Sequence, residues 1–208
     1  MSDDLEGALN AMALNMIPNL WKTKSFNSLK PLGSYIKDVN SRIEFFADWL
    51  KNGIPRIFMI NKFFFAHGFL TGARQNYARK FKIPIDTMDL DYKVIADENA
   101  PKPEDGVFVC GMYMEGCKWD TGTEVLAESD PKVLFTMCPM VWFIPIKAVD
   151  KNAVNVFKMP LYLTMDRKGI LATTGHSTNF VDYVNLPTEK STAHWTKRGA
   201  ALLCALND

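Results

Sequence analysis

Phe63-Phe64-Phe65-Ala66-His67-Gly68-Phe69-Leu70-Thr71-Gly72-Ala73-Arg74-Gln75-Asn76-Tyr77-Ala78-Arg79-Lys80-Phe81, followed beyond Pro84 by Met88-Asp89-Leu90-Asp91-Tyr92-Lys93-Val94, decides the fold class, because the apolar period changes between the two halves. In the first half Phe65, Phe69, Ala73 and Tyr77 lie four apart, and Phe63 and Leu70 widen the stripe, which predicts a helix over about 63–81. Arg79, Lys80 and Lys82 near its end suit the negative pole of the helix dipole. In the second half Asp89, Asp91 and Lys93 alternate with Leu90, Tyr92 and Val94, the period of a half-buried strand.

Upstream of the switch the signals are helical. Leu5, Leu9, Met12 and Met16 predict an amphipathic helix over 3–17, with Asp3 and Glu6 giving a capping-box-like start and Pro18 a stop. Trp21 and Phe26 fall in a polar connector that ends in the turn Pro31-Leu32-Gly33. Ile36, Val39, Ile43, Phe46 and Leu50 predict a second helix from Ser34 as N-cap to about Lys51, packed along that one face and stopped by Asn52-Gly53 before Pro55. Downstream, further strands are expected over about 106–114, 139–147, 154–163, 177–186 and 199–206, punctuated by Gly, Pro, Asn and Asp. Three helices before six strands imply an α+β fold with segregated layers: a helical lobe over 1–87 and a six-stranded antiparallel β-barrel-like lobe over 88–208, closure being one way to remove exposed edges.

With 48% hydrophobic residues in 208, the polypeptide is able to bury a core of its own. The formal charge of +1 argues against a polyanion binder, but residues 1–87 carry 12 Lys or Arg against 7 Asp or Glu, and residues 88–208 carry 12 against 16. Two differently faced lobes follow, with ordinary solvated surface as the plainer account of the asymmetry. Cys110, Cys117, Cys138 and Cys204 form no C-x-x-C pair, which disfavours a zinc site, and reduced cytosolic thiols are expected. No signal peptide is recognisable, and no apolar run reaches the roughly 18–20 residues that cross a bilayer.

Catalytic signatures are sparse. There is no G-x-x-x-x-G-K-[ST] phosphate loop and no G-x-G-x-x-G turn. His176-Ser177 is the pair that suggests a nucleophile beside a base, completed by Asp182 or His194. Neighbours on a strand face opposite ways, however, and no G-x-S-x-G elbow surrounds the serine, so hydrogen bonding that fixes a turn over 173–179 is the favoured reading. His67, His176 and His194 lack the spacing of a metal-binding set. Three successive aromatics on a helix cover about 200° of its circumference, so Phe63, Phe64 and Phe65 cannot all enter one seam. Core packing is the plainer reading, and a protein-contact role for Phe63, Phe64, Trp49 and Arg74 is the functional one. No nucleic-acid-binding motif occurs.

The run Phe63–Gly72 continuing into Gln75–Asp86 resembles the carboxy-terminal region of dynein heavy chains, especially axonemal ones. Ser28-Leu29-Lys30-Pro31-Leu32-Gly33-Ser34-Tyr35 and Asp48-Trp49-Leu50-Lys51-Asn52-Gly53-Ile54-Pro55 precede it in the family's order. Pro103–Val107, Trp119-Asp120, Val125–Phe135, Thr173–Val181 and His194–Cys204 follow. Two departures stand out: Asn61-Lys62 where many relatives carry Ser-Gly, and Ala66-His67 in place of a common Thr-Gln.

The resemblance implies a helical lobe followed by a β-barrel, at the tail end of a motor of several thousand residues. It also implies a non-catalytic structural or regulatory domain that packs on the AAA+ ring of the same heavy chain. ATP and magnesium would bind in upstream modules, with no cofactor here. Microtubules and the intermediate and light chains would be partners of the parent motor in a ciliary or flagellar axoneme, and tubulin itself would be bound by a separate stalk. No nucleic acid or membrane is expected as a partner. The competing expectation is a stand-alone β-barrel binding module or small hydrolase using His176 and Ser177.

Overall fold

The computed structural model describes residues 2–26, 28, 30–148, 155–167 and 179–206. Helix α1 (Asp3–Ala13) is shorter than its apolar period, because the backbone turns left-handed at Asn15 (φ 55°) before Pro18 is reached. A short helix, α2 (Asn19–Lys24), occupies the expected connector, and α3 (Leu32–Asn52) begins after Pro31 rather than at Ser34. Pro31 fits there because a helix's first residues need no intrahelical N–H partner, and Gly53 at φ 86° ends the helix where other residues would be strained.

Strand β1 (Ile57–Met59) and a single 3-10 turn lead into α4 (Ala66–Phe81). The helix thus starts after the Phe63–Phe65 run instead of including it. Phe63 (φ −76°, ψ 135°) and Phe65 (φ −130°, ψ 76°) are non-helical, which sends three bulky rings in different directions. Helix α4 buries Ala66, Leu70 and Ala78.

The remaining elements are β2 (Met88–Ile95), β3 (Val107–Cys110), β4 (Tyr113–Glu115), β5 (Lys118–Asp120), β6 (Val125–Ala127), β7 (Phe135–Met137), β8 (Met140–Lys147), β9 (Val156–Tyr162), β10 (Phe180–Pro187), α5 (Thr192–Arg198) and β11 (Ala201–Leu203). The fold is α+β, but the expected antiparallel barrel is not what the described residues form. One open sheet runs β1-β3-β8-β2, a second β10-β9-β11-β4-β7, and β5 and β6 make a separate hairpin. Both larger sheets are mixed, with β1 parallel to β3 and β11 parallel to β9.

The physical reason lies at Gly111. The strand expected over 106–114 breaks there (φ 81°) into β3 and β4, which pair in different sheets, so what would be one barrel wall is divided between two. A Cβ at Gly111 would stand 2.6 Å from Asn61 Oδ1, so the bend is reserved for glycine. The two sheets share one core with α4 and α5, centred on Leu70, Leu90, Val109, Met114, Phe143, Met159, Leu161 and Trp195.

Candidate docking surface

Helix α3 carries two apolar-rich stripes. Tyr35, Asp38, Arg42, Phe45 and Trp49 recur at 3, 4, 3 and 4 residues, as do Ile36, Val39, Ile43, Phe46 and Leu50 one position on. The first stripe turns toward the protein: Tyr35 and Arg42 are buried, and Trp49 sits edge-on to Phe58, with centroids 5.4 Å apart. The second is the face expected to be packed; Val39 and Phe46 are half-buried, but the other three positions are left exposed. Ile36 is 37% exposed, Ile43 61% and Leu50 89%. Helix α1 repeats the pattern, since Leu5, Leu9 and Met16 of its expected core stripe are exposed.

Val39, Ile43, Phe46 and Leu50 of this stripe, with Ala47 beside them, form one wall of a groove of about 490 Å³ that Ser25, Phe26 and Phe64 line on the other side. Arg42 is the charged residue of its lining. Arg42 donates from Nε to Asp38 Oδ2 (3.1 Å) and from Nη1 to the Lys62 carbonyl (2.9 Å). Its guanidinium lies 4.1 Å from the Phe26 ring centre and 5.2 Å from that of Phe64, geometry that favours cation–π attraction. Lys62 Nζ approaches Asp38 Oδ1 at 3.8 Å. Burial is the largest influence on Lys62 and lowers its pKa; Asp38 opposes this, while Arg42 and Lys30 add to it. The Asn61-Lys62 departure therefore has a local role. Lys62 adds a second cation beside Asp38, and Asn61 turns a buried Oδ1 that has no hydrogen-bond partner among the described residues toward Gly111.

The four residues singled out as protein contacts occupy different surroundings. Phe64, 61% exposed, lies parallel to Phe46 with centroids 6.5 Å apart, at the groove mouth. Phe63 stacks on Phe69 at 4.3 Å, and Trp49 packs with Phe45, Phe46, Phe58 and Phe63 in the same aromatic cluster. Arg74 is half-buried and faces Asp182 at 3.9 Å, across from Tyr92. Ile36, Ile43 and Leu50 stand outside the core that their spacing predicts for them. Two parallel stripes on one helix are the signal that a second side needs covering.

His67 and His194 are held apart on separate elements. His67 Nδ1 lies 3.0 Å from the Val181 carbonyl, where Ala66-His67 begins α4, and His194 Nε2 stands 3.2 Å from Glu128 Oε1. His176 and Ser177 lie outside the described residues. Among the described residues no group of three or more His, Cys, Asp or Glu gathers where it could hold a metal, and no helix is long and apolar enough to cross a membrane.

An α+β unit with one shared core and two uncovered helix faces is the shape of a module within something larger. The family model for the C-terminal domain of the dynein heavy chain matches residues 1–204, and the protein belongs to that family. It is 45% identical over 209 residues to dynein axonemal heavy chain 12 of Mus musculus and 46% identical over 208 residues to its counterpart in Rattus norvegicus. It is 41% identical over 210 residues to dynein axonemal heavy chain 3 of Homo sapiens. Each alignment covers the whole of this protein but only 7% of the length of the first two relatives and 5% of the third.

Proposed function

We propose that the protein is the non-catalytic structural and regulatory C-terminal domain of an axonemal dynein heavy chain, packing on the AAA+ ring of that same heavy chain. Residues 1–87 would be the docking lobe and 88–208 its supporting body. The observation that carries this reading is the apolar stripe Ile36–Ile43–Leu50, regular over two heptads and left bare, in a polypeptide whose relatives are many times longer. Exposed apolar surface of this kind marks an interaction site. Phe64 and Trp49 lie beside it, and Arg74 braces the body through Asp182.

By making contacts that differ between ring conformations, a rigid lobe shifts their balance and so modulates ATP-driven movement on microtubules. ATP and magnesium would serve the parent motor at sites outside these residues. The axoneme of a cilium or flagellum would be its location, with intermediate and light chains as further partners of the parent.

The test is excision of this domain from the full motor. Altered speed, force or run length, with nucleotide still bound at the ring, is the expected result. Unchanged motility and stability would overturn the reading.

A further inference from the structure

The groove along α3 selects the form of its occupant. Ile36, Val39, Ile43, Phe46 and Leu50 make a seam at the 3-4 spacing of coiled coils, about 21 Å long at 1.5 Å per residue. Val39 and Ala47 are small beside Phe46 and Leu50, so the lining alternates low and high points that accept knobs from a facing helix. An extended segment would be poorly served there. The wall is helix α3 presented side-on, with its backbone groups spent on its own hydrogen bonds, and a strand's unpaired N–H and C=O groups would find few partners. A helix brings its backbone already satisfied.

Charge adds a second requirement. Arg42 lines the groove and pairs with Asp38, which Lys62 also approaches, so two cations share one carboxylate. Arg42 is held through Nε and Nη1, and among the described residues no acceptor is seen for its Nη2. The lobe as a whole has the same sign, with 12 basic residues against 7 acidic over 1–87.

We infer that the groove between α3 and Phe26/Phe64 receives an amphipathic α-helix of at least four turns, contributed by the upstream part of the same heavy chain. Its apolar residues at 3-4 spacing pack along Ile36, Val39, Ile43, Phe46 and Leu50, and an Asp or Glu reaches Arg42. The inference rests on the ring-docking reading and adds to it the secondary structure, length, register and charge of what docks.

Photo-cross-linking in the full-length heavy chain tests it. p-Benzoylphenylalanine is placed at Ile43 in one preparation, at Phe64 in a second and at Leu9 in a third, and cross-linked peptides are sequenced by mass spectrometry. The Ile43 and Phe64 probes should reach one common peptide of the same heavy chain, with apolar residues at 3-4 spacing and a carboxylate within about one helical turn of the attachment point. Leu50→Asp should cut the Phe64 cross-link at least tenfold.

Mixing isotopically heavy and light preparations separates a second copy from the same polypeptide. A peptide from a second copy, from a different polypeptide, or from an upstream segment lacking the apolar spacing or the carboxylate would overturn the helix. In the last case the ring-docking reading would survive. Failure of all three probes to reach any upstream residue would overturn both.

Discussion

Replacing Ile43 and Leu50 together by serine separates a face packed within this domain from a face awaiting a partner. Burying a large aliphatic side chain contributes roughly 1.5–3 kcal/mol. Ile43 has left 61% of its surface in solvent and Leu50 89%, so most of that contribution is absent from the folded domain. What the domain itself stands to lose at Leu50 is a few tenths of a kcal/mol, and at Ile43 about 0.6–1.2 kcal/mol. The double variant should therefore be destabilised by less than about 1.5 kcal/mol in urea unfolding, with an unchanged slope. The remainder, about 2.2–4.5 kcal/mol, would be realised only on docking, where its loss weakens association by about 40- to 2000-fold. Phe63→Ala is the internal comparison. Phe63 stacks on Phe69 and touches Trp49 and Phe58, so its truncation should cost about 3–5 kcal/mol in the same experiment. If the double serine variant fell as far as Phe63→Ala, the stripe would be packed within the domain and a docking role for it would be refuted.

Three further outcomes are expected. Trp195 is fully buried, and its Nε1–H donates to Thr188 Oγ1 at 2.7 Å; Trp195→Ala should cost about 3–5 kcal/mol by thermal unfolding and Trp195→Phe about 1–3 kcal/mol, for the smaller ring and the lost indole hydrogen bond, since Thr188 keeps its contacts with Lys190. Gly106 has φ 80°, and an added Cβ would lie 2.2 Å from the Phe143 carbonyl oxygen, so Gly106→Ala should lower stability by more than about 1 kcal/mol despite adding a single methyl. Burial raises the thiols of Cys117 and Cys204 to about 12 and that of Cys138 higher, whereas unfolded thiols ionise near about 8.5. The folded state therefore holds protons that the unfolded state releases. Stability should fall as pH rises above about 9, by up to about 1.4 kcal/mol per thiol per pH unit, and denaturant midpoints at pH 7, 9 and 10 would show it.

The period switch at Met88 was legible because β2 is eight residues long and alternates cleanly. Strands β4 to β7 have three residues each, too few to display a period of two, and pairing across the sheet rather than local pattern holds them. Helix α5 has readable ends, Ser191 Oγ accepting from the His194 amide at 3.3 Å and Gly199 following at φ 68°, yet its seven residues between the strands expected over 177–186 and 199–206 are too few to show a helical period. The stripe on α3 is apolar as its spacing predicts, yet it lies outside rather than inside. Periodicity reports that a face avoids water and says nothing about whether its cover is in the same domain. The roles of Asn61 at the Gly111 bend and of Lys62 under Arg42 join positions far apart in sequence or on different elements, and no local pattern announces such a meeting.

The parallel pairing of β1 with β3 has a mechanical consequence. Tension arriving from α3 enters β1 at Ile57, while β3 is anchored beyond Cys110 through the Gly111 bend into the second sheet. The two strands are thus loaded from opposite ends. Their three residue pairs, with Arg56 clamped to the carbonyls of Glu98 and Ala100, must shear together instead of opening one by one. A pull on the helices would cross the four-residue link 53–56 and then meet a stiff coupling into the sheets.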